Sequence, residues 1–96
     1  MIYPKRGDIF WVKMDSTIGA EIQKTRPAVI VSNDINNEYS RIVIVAPITS
    51  NTKEIFDFNV PIKLGAVQGK ILLNQIKSVD KQRLGKQVTM CDIKTL

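Results

Sequence analysis

The sequence predicts an all-β dominated fold, a small SH3-like barrel with one or two short helical turns. Three observations point there. Apolar residues gather in runs of strand length rich in Val and Ile, turn-forming residues punctuate those runs at short intervals, and no segment long enough for a stable helix carries a helical apolar stripe. Ninety-six residues suffice for one domain, 1–96, and not for two.

The first predicted strand is Ile9-Phe10-Trp11-Val12, set off by Gly7-Asp8 before it and Asp15-Ser16 after it. Ala28-Val29-Ile30-Val31-Ser32 and Ile42-Val43-Ile44-Val45-Ala46 are unbroken apolar runs, expected of strands covered on both faces. Between them, Asp34-Ile35-Asn36-Asn37-Glu38 reads as a turn. Asn59-Val60-Pro61-Ile62-Lys63-Leu64 alternates, and Pro61 inside it assigns the strand to an edge. Lys70-Ile71-Leu72-Leu73 and Gln75-Ile76-Lys77-Ser78-Val79 read as one long strand bent near Asn74. Asp80-Lys81-Gln82-Arg83-Leu84-Gly85 offers an N-cap and a terminal glycine around a single helical turn, and Gln87-Val88-Thr89-Met90 closes the sheet. Two stretches, Met14 to Thr25 and Thr49 to Asp57, lack strand character and are long for so compact a chain, as functional loops often are.

Composition narrows the chemistry. No apolar run approaches the roughly 18 residues needed to span a bilayer, and no apolar leader follows the first positive charges, so a cytoplasmic protein is expected. Cys91 is the only cysteine and histidine is absent. Imidazole-based zinc sites, Ser-His-Asp triads and paired-histidine ribonuclease mechanisms therefore cannot be built. No P-loop or GxGxxG cradles a nucleotide, so neither a cofactor nor a metal is expected. Fourteen Lys+Arg against nine Asp+Glu give a net charge of +5, which favours a polyanionic partner. These cations are scattered along the chain, and the fold must assemble them into any basic surface.

Two positions stand out against this background. Arg26 lies at the threshold of the second strand, and Pro27 biases it toward extended backbone. Alone, such an arginine is more often structural, paired with Glu21 or a backbone carbonyl. Where the third strand ends, Thr49, Ser50 and Asn51 bring two hydroxyls and an amide to a loop opening, which alone is ordinary turn chemistry.

Taken together the segments are specific. Gly7-Asp8-Ile9-Phe10-Trp11-Val12, Gly19-Ala20-Glu21, Arg26-Pro27-Ala28-Val29-Ile30-Val31-Ser32-Asn33-Asp34, Val45-Ala46-Pro47-Ile48-Thr49-Ser50 and Leu72 through Gly85 closely resemble, in order and spacing, the MazF/PemK toxins. Those are the endoribonuclease halves of bacterial toxin–antitoxin modules. The resemblance implies an SH3-like barrel that forms a homodimer and cleaves single-stranded RNA at short motifs without metal. It implies restraint by an antitoxin whose acidic, partly disordered segment occupies the RNA groove. By position, Arg26 matches the catalytic arginine, Thr49 the catalytic hydroxyl and Glu21 a contributing carboxylate. Gln75 and the loop Ser50-Asn51-Thr52-Lys53 align with RNA-contacting regions, and the Ser16-Thr17 loop is expected to help set the motif that is cut. The resemblance also implies a C-terminal helix, which is expected to be shortened or absent here. A non-catalytic SH3-like binding module or a gyrase-poisoning toxin on a related fold is the alternative, since fold does not fix function.

Overall fold

The computed structural model describes residues 3–14, 24–50, 52–57, 59–64 and 67–88. Glu21, Ser16, Thr17, Asn51, Cys91 and the expected C-terminal departure lie outside the described residues. Among the described residues the strands are β1 (Ile9–Met14), β2 (Lys24–Ile30), β3 (Ile42–Thr49), β4 (Asn59–Leu64), β5 (Val67–Leu72), β6 (Lys77–Asp80) and β7 (Leu84–Gln87). One helix, α1 (Asp34–Tyr39), and two 3₁₀ turns, Leu73–Gln75 and Lys81–Arg83, complete the order. The strands form a bent antiparallel sheet in the order β4-β5-β3-β2-β1-β7, with β6 also paired to β3.

The bend originates in β3. Its middle pairs with β2 through Ile30↔Val45, Val29↔Ala46 and Ala28↔Pro47, where the ladder stops. Pro27 stands at that point, and it has no N–H to donate to Ile48, the residue of β3 that the continued ladder would reach. Beyond it β3 turns to β5 through Ile48↔Ile71 and Thr49↔Lys70. Where β3 passes between the two pairings, Ala46, Pro47 and Ile48 are all buried, a run no flat, one-sided strand would show.

On the other edge of β3 the chain from β5 into β6 runs alongside it. Ile48 faces Ile71 and Val45 faces Lys77, so the facing chain uses three more residues than β3 over this interval. The excess is the 3₁₀ turn Leu73–Gln75, looped out of the ladder. The bend expected near Asn74 is therefore a three-residue excursion separating two strands.

The core is Val12, Ala28, Ile30, Val43, Val45 and Val79, with Phe10, Met14 and Leu84 packed against it. On β1 the residues Phe10, Val12 and Met14 alternate inward while Trp11 and Lys13 face out. Several boundaries differ from the sequence reading. The strand expected at Ala28 begins at Lys24, which puts Arg26 inside β2, and Ser32 lies beyond the strand's end. Only one face of early β3 is covered, since Ile42 and Ile44 are exposed at 43% and 36%. Among the described residues the closing strand is Leu84–Gln87, starting earlier than expected because it pairs with Val12 and Phe10 of β1, while Thr89 and Met90 lie outside them.

A polar cluster turns the chain between β2 and β3. The segment expected as a turn is α1, capped by Asn33, whose side chain accepts from Asn36 N at 2.8 Å. Asn37 is fully buried, donating Nδ2 to Ser32 O at 2.9 Å while accepting the Ser32 hydroxyl at Oδ1. Ser32 Oγ in turn accepts from Ile44 N at 3.1 Å. The α1 start is pinned to the N-terminal turn by Arg6 N donating to Asp34 Oδ1 at 2.7 Å. That turn needs Gly7, whose φ of +94° few other residues adopt readily, and Gly7 N reaches Ile30 O at 2.8 Å.

Asn37→Ala is expected to cost about 1–3 kcal/mol, because it strands the Ser32 groups without their buried partner. Urea unfolding followed by tryptophan fluorescence of Trp11 measures it, and an unchanged midpoint would show that the cluster contributes nothing to stability.

Candidate active site

The site lies where β2 and β3 part. Arg26 and Thr49 each lie two residues beyond the last β2–β3 pair, Ala28↔Pro47, with Arg26 paired to Val12 of β1 and Thr49 to Lys70 of β5. Cross-strand partners share a face, so Arg26 lies on the face of Val12. Val12 is completely buried and Arg26 is exposed, so the guanidinium continues the core-facing side of β2 beyond the end of the core. Thr49, half-buried, ends the same face of β3. The structure thus sets the two principal candidates just past the point where the β2–β3 ladder ends.

Arg26 is not held by a carboxylate among the described residues, whose ion pair is Arg41–Asp80 at 3.7 Å on the far side of the barrel. The alternative of a structural arginine therefore has no partner among those residues, and the Glu21 pairing lies outside them. A planar fork with five N–H donors exposed at the edge of a dry core is suited to gripping an anion through two oxygens.

Thr49 is positioned by close backbone packing. It pairs with Lys70 of β5, and the neighbouring Gly69 lies so near that a Cβ there would come 2.8 Å from the Thr49 carbonyl oxygen. Only a residue without a side chain lets β5 approach this closely. Ser50 and Lys53 follow Thr49 into the loop and are exposed, as is Gln75 on the 3₁₀ turn that packs beside β3. Gln75 therefore stands on the opposite edge of β3 from Arg26.

Sequence reasoning overlooked the residues that hold the loop. Lys70 is 8% exposed, and its ammonium donates to the backbone carbonyl of Glu54. Asn59, also buried, closes the loop's far end: its N donates to Phe56 O at 2.9 Å and its Oδ1 accepts from Phe56 N at 3.0 Å. Lys70 heads an apolar run and Asn59 opens an alternating strand, and neither pattern signals burial. Between this loop and the β4–β5 hairpin is a groove of about 410 Å³ lined by Thr52, Ile55, Pro61, Ile62, Lys63, Gln68 and Gly69.

Charge is uneven along the barrel. At the α1 end Lys5, Arg6, Arg41 and Lys81 are matched by Asp8, Asp34, Glu38 and Asp80. At the Thr49 end Lys13, Arg26, Lys53, Lys63 and Lys70 face only Glu54 and Asp57 among the described residues. Lys77, Arg83 and Lys86 lie outside both groups, and the excess of cations over carboxylates near Thr49 would attract a polyanion.

The bent barrel is a fold shared with solved toxin structures. The crystal structure of MazF from Deinococcus radiodurans superposes with a TM-score of 0.76 at 25% identity, over 93% of this chain and 82% of that one. PemK-like, MazF-like toxins of type II toxin–antitoxin systems match residues 5–96. Endoribonuclease EndoA of Bacillus subtilis is 33% identical over 94 residues, which span 92% of this chain and 80% of the relative. Endoribonuclease MazF of Staphylococcus saprophyticus is 34% identical over 93 residues, 88% of this chain and 75% of the relative. The chain belongs to the PemK-like, MazF-like toxin family.

Gly69→Ala is expected to force β5 away from β3 and cost about 1–3 kcal/mol, as overpacking does. Thermal unfolding gives the stability. Amide shifts at Thr49 and Lys70 report the displacement, and unchanged shifts would show that the close approach is dispensable.

Proposed function

We propose that this toxin is an endoribonuclease that cuts single-stranded RNA without a metal ion, with Arg26 and Thr49 acting on the scissile phosphate. The observation that carries the reading is the exposed Arg26, with no carboxylate partner among the described residues, set with Thr49 just beyond the last β2–β3 pair. Membership of a family whose relatives include endoribonucleases supports the activity.

Cleavage of this kind uses the RNA's own 2′-OH. Its oxygen attacks phosphorus and loses its proton to a base. The bond to the 5′-oxygen breaks, and that oxygen takes up a proton, leaving a 2′,3′-cyclic phosphate and a 5′-OH. The phosphorane carries extra negative charge, which a fixed guanidinium stabilises through paired hydrogen bonds, the more so beside the apolar core. Arg26 has that role, and the Thr49 hydroxyl donates one further bond to the same phosphate. Glu21 is the candidate for the 2′-OH proton. Its ordinary pKa of about 4.3 makes it a weak base unless its surroundings raise it. Ser50, Asn51, Lys53 and Gln75, with Ser16 and Thr17, are the residues assigned to contact flanking nucleotides.

The same reading assigns the partners. As a type II toxin the chain is held in check by an antitoxin, and an acidic, partly disordered segment suits the excess of cations near Thr49. Ile35, Tyr39, Ile42 and Ile76 are exposed apolar side chains whose partial burial in a homodimer would add to the modest core of so small a domain. No helix among the described residues is long and apolar enough to cross a membrane, in keeping with work on mRNA in the cytoplasm.

Arg26→Ala is expected to abolish cleavage while leaving the circular dichroism spectrum and unfolding temperature intact. Sequencing the 5′ ends of a long single-stranded RNA after incubation tests this, and cutting at the parental rate would remove Arg26 from the mechanism. EDTA is expected to leave the rate unchanged, whereas strict metal dependence overturns the proposed chemistry. Thr49→Val should slow cleavage about a hundred- to a thousandfold, the range for losing one donor to a developing charge. RNA affinity by fluorescence anisotropy should barely move; a pure binding defect would make Thr49 a positioning residue.

A further inference from the structure

Lys70 is a charged residue in a place that chemistry makes expensive. It lies inside the sheet, between Thr49 on β3 and Pro61 on β4, and is 8% exposed. Lysine is rarely buried without a partner anion, and among the described residues no carboxylate pairs with it. Its ammonium instead reaches the carbonyl of Glu54, sixteen residues earlier in the chain. An apolar side chain would suit this interior more cheaply, but no apolar side chain can hold a carbonyl.

That carbonyl belongs to the loop that follows Thr49. The loop is gripped at two points, by Lys70 at Glu54 and by Asn59 at Phe56. Exposed Lys53 stands next to the first grip, while Thr52 and Ile55 on either side form one wall of the groove against the β4–β5 hairpin. Lys70 therefore couples the strand that positions Thr49 to the segment that faces the flanking nucleotides. Freezing that segment before RNA arrives removes an ordering cost from binding and restricts which bases fit.

We propose that Lys70 is a positioning residue that sets RNA-motif selectivity by clamping the 52–57 loop through the Glu54 carbonyl. This rests on the nuclease reading, since it assigns the loop to the RNA substrate. Lys70 does not touch the scissile phosphate; it acts through the loop.

The test compares the full-length wild type with Lys70→Met, which keeps length and apolar bulk but has no donor, and with Lys70→Arg, which restores one. Hydrogen exchange of the RNA-free proteins should show amides in 52–57 exchanging about tenfold faster in Lys70→Met, with the core strands unchanged. On a long single-stranded RNA of mixed sequence, Lys70→Met should cut at a relaxed set of motifs. On an oligonucleotide carrying the wild-type motif, its KM should rise about three- to tenfold with kcat within about twofold, the signature of an unpaid ordering cost. Lys70→Arg should return both the motif and the KM toward wild type. If the core strands of Lys70→Met also lose protection, Lys70→Gln, shorter but with an amide donor, replaces it under the same criteria. An unchanged motif and KM in a folded variant overturn this proposal alone, as does reduced stability with selectivity intact. A wild type that leaves RNA uncut overturns the nuclease reading and this proposal with it.

Discussion

The structure depends on the point at which β3 stops pairing with β2. Two prolines, Pro27 and Pro47, sit across from one another's strands where the ladder ends at Ala28↔Pro47. Pro27 has no N–H to carry the ladder on to Ile48, and β3 turns its last residues to β5. That change of partner curls the sheet into a barrel, buries Ala46 through Ile48 on both sides, and leaves an opening between β2 and β3. Arg26 and Thr49 each stand two residues past the last registered pair. The same backbone constraint therefore makes both the curvature and the site.

Rigidity around the opening comes from different physics on each side. On the β2 side it is the apolar core, with Val12, Ala28 and Ile30 packed behind Arg26. On the β3 side it is backbone proximity, with Gly69 admitting β5 against the Thr49 carbonyl, and then a buried ammonium holding the loop beyond. The far end of the barrel is kept by neutral hydrogen bonds among Ser32, Asn36 and Asn37 and by balanced surface charge. A buried lysine with no carboxylate partner among the described residues is thus found at the end that carries the candidate site.

Much of this was legible in the sequence, and the misses have physical causes. Strand-length apolar runs located β1 to β6 to within a few residues, and Pro61 marked β4 as the edge strand it is. The role proposed for Arg26 and Thr49 rests on their place in ordered motif blocks, since their own chemistry is ordinary in isolation. The start of β2 was placed late because Lys24, Thr25 and Arg26 are polar; their strand state comes from pairing with β1, which propensity does not record. Ile42 and Ile44 suggested a strand buried on both faces, yet hydrophobicity cannot tell a covered face from one left open. Lys70 and Asn37 were illegible for the converse reason: a buried polar side chain looks like a surface one until its partners are known. The excursion at Leu73–Gln75 was seen only as a bend, since counting residues against a partner strand requires the partner's register.

That excursion has a consequence for how the molecule tolerates change. The three surplus residues are stored outside the ladder, while Ile71 and Lys77 on either side are locked to β3 by independent pairings. A residue gained or lost in Leu73–Gln75 alters the size of the protruding turn and shifts neither ladder by a position. Most insertions in a sheet would turn every following side chain to the wrong face. Here the barrel carries an expansion joint, and the exposed side chains mounted on it can vary in number and reach while the strands beneath stay in step.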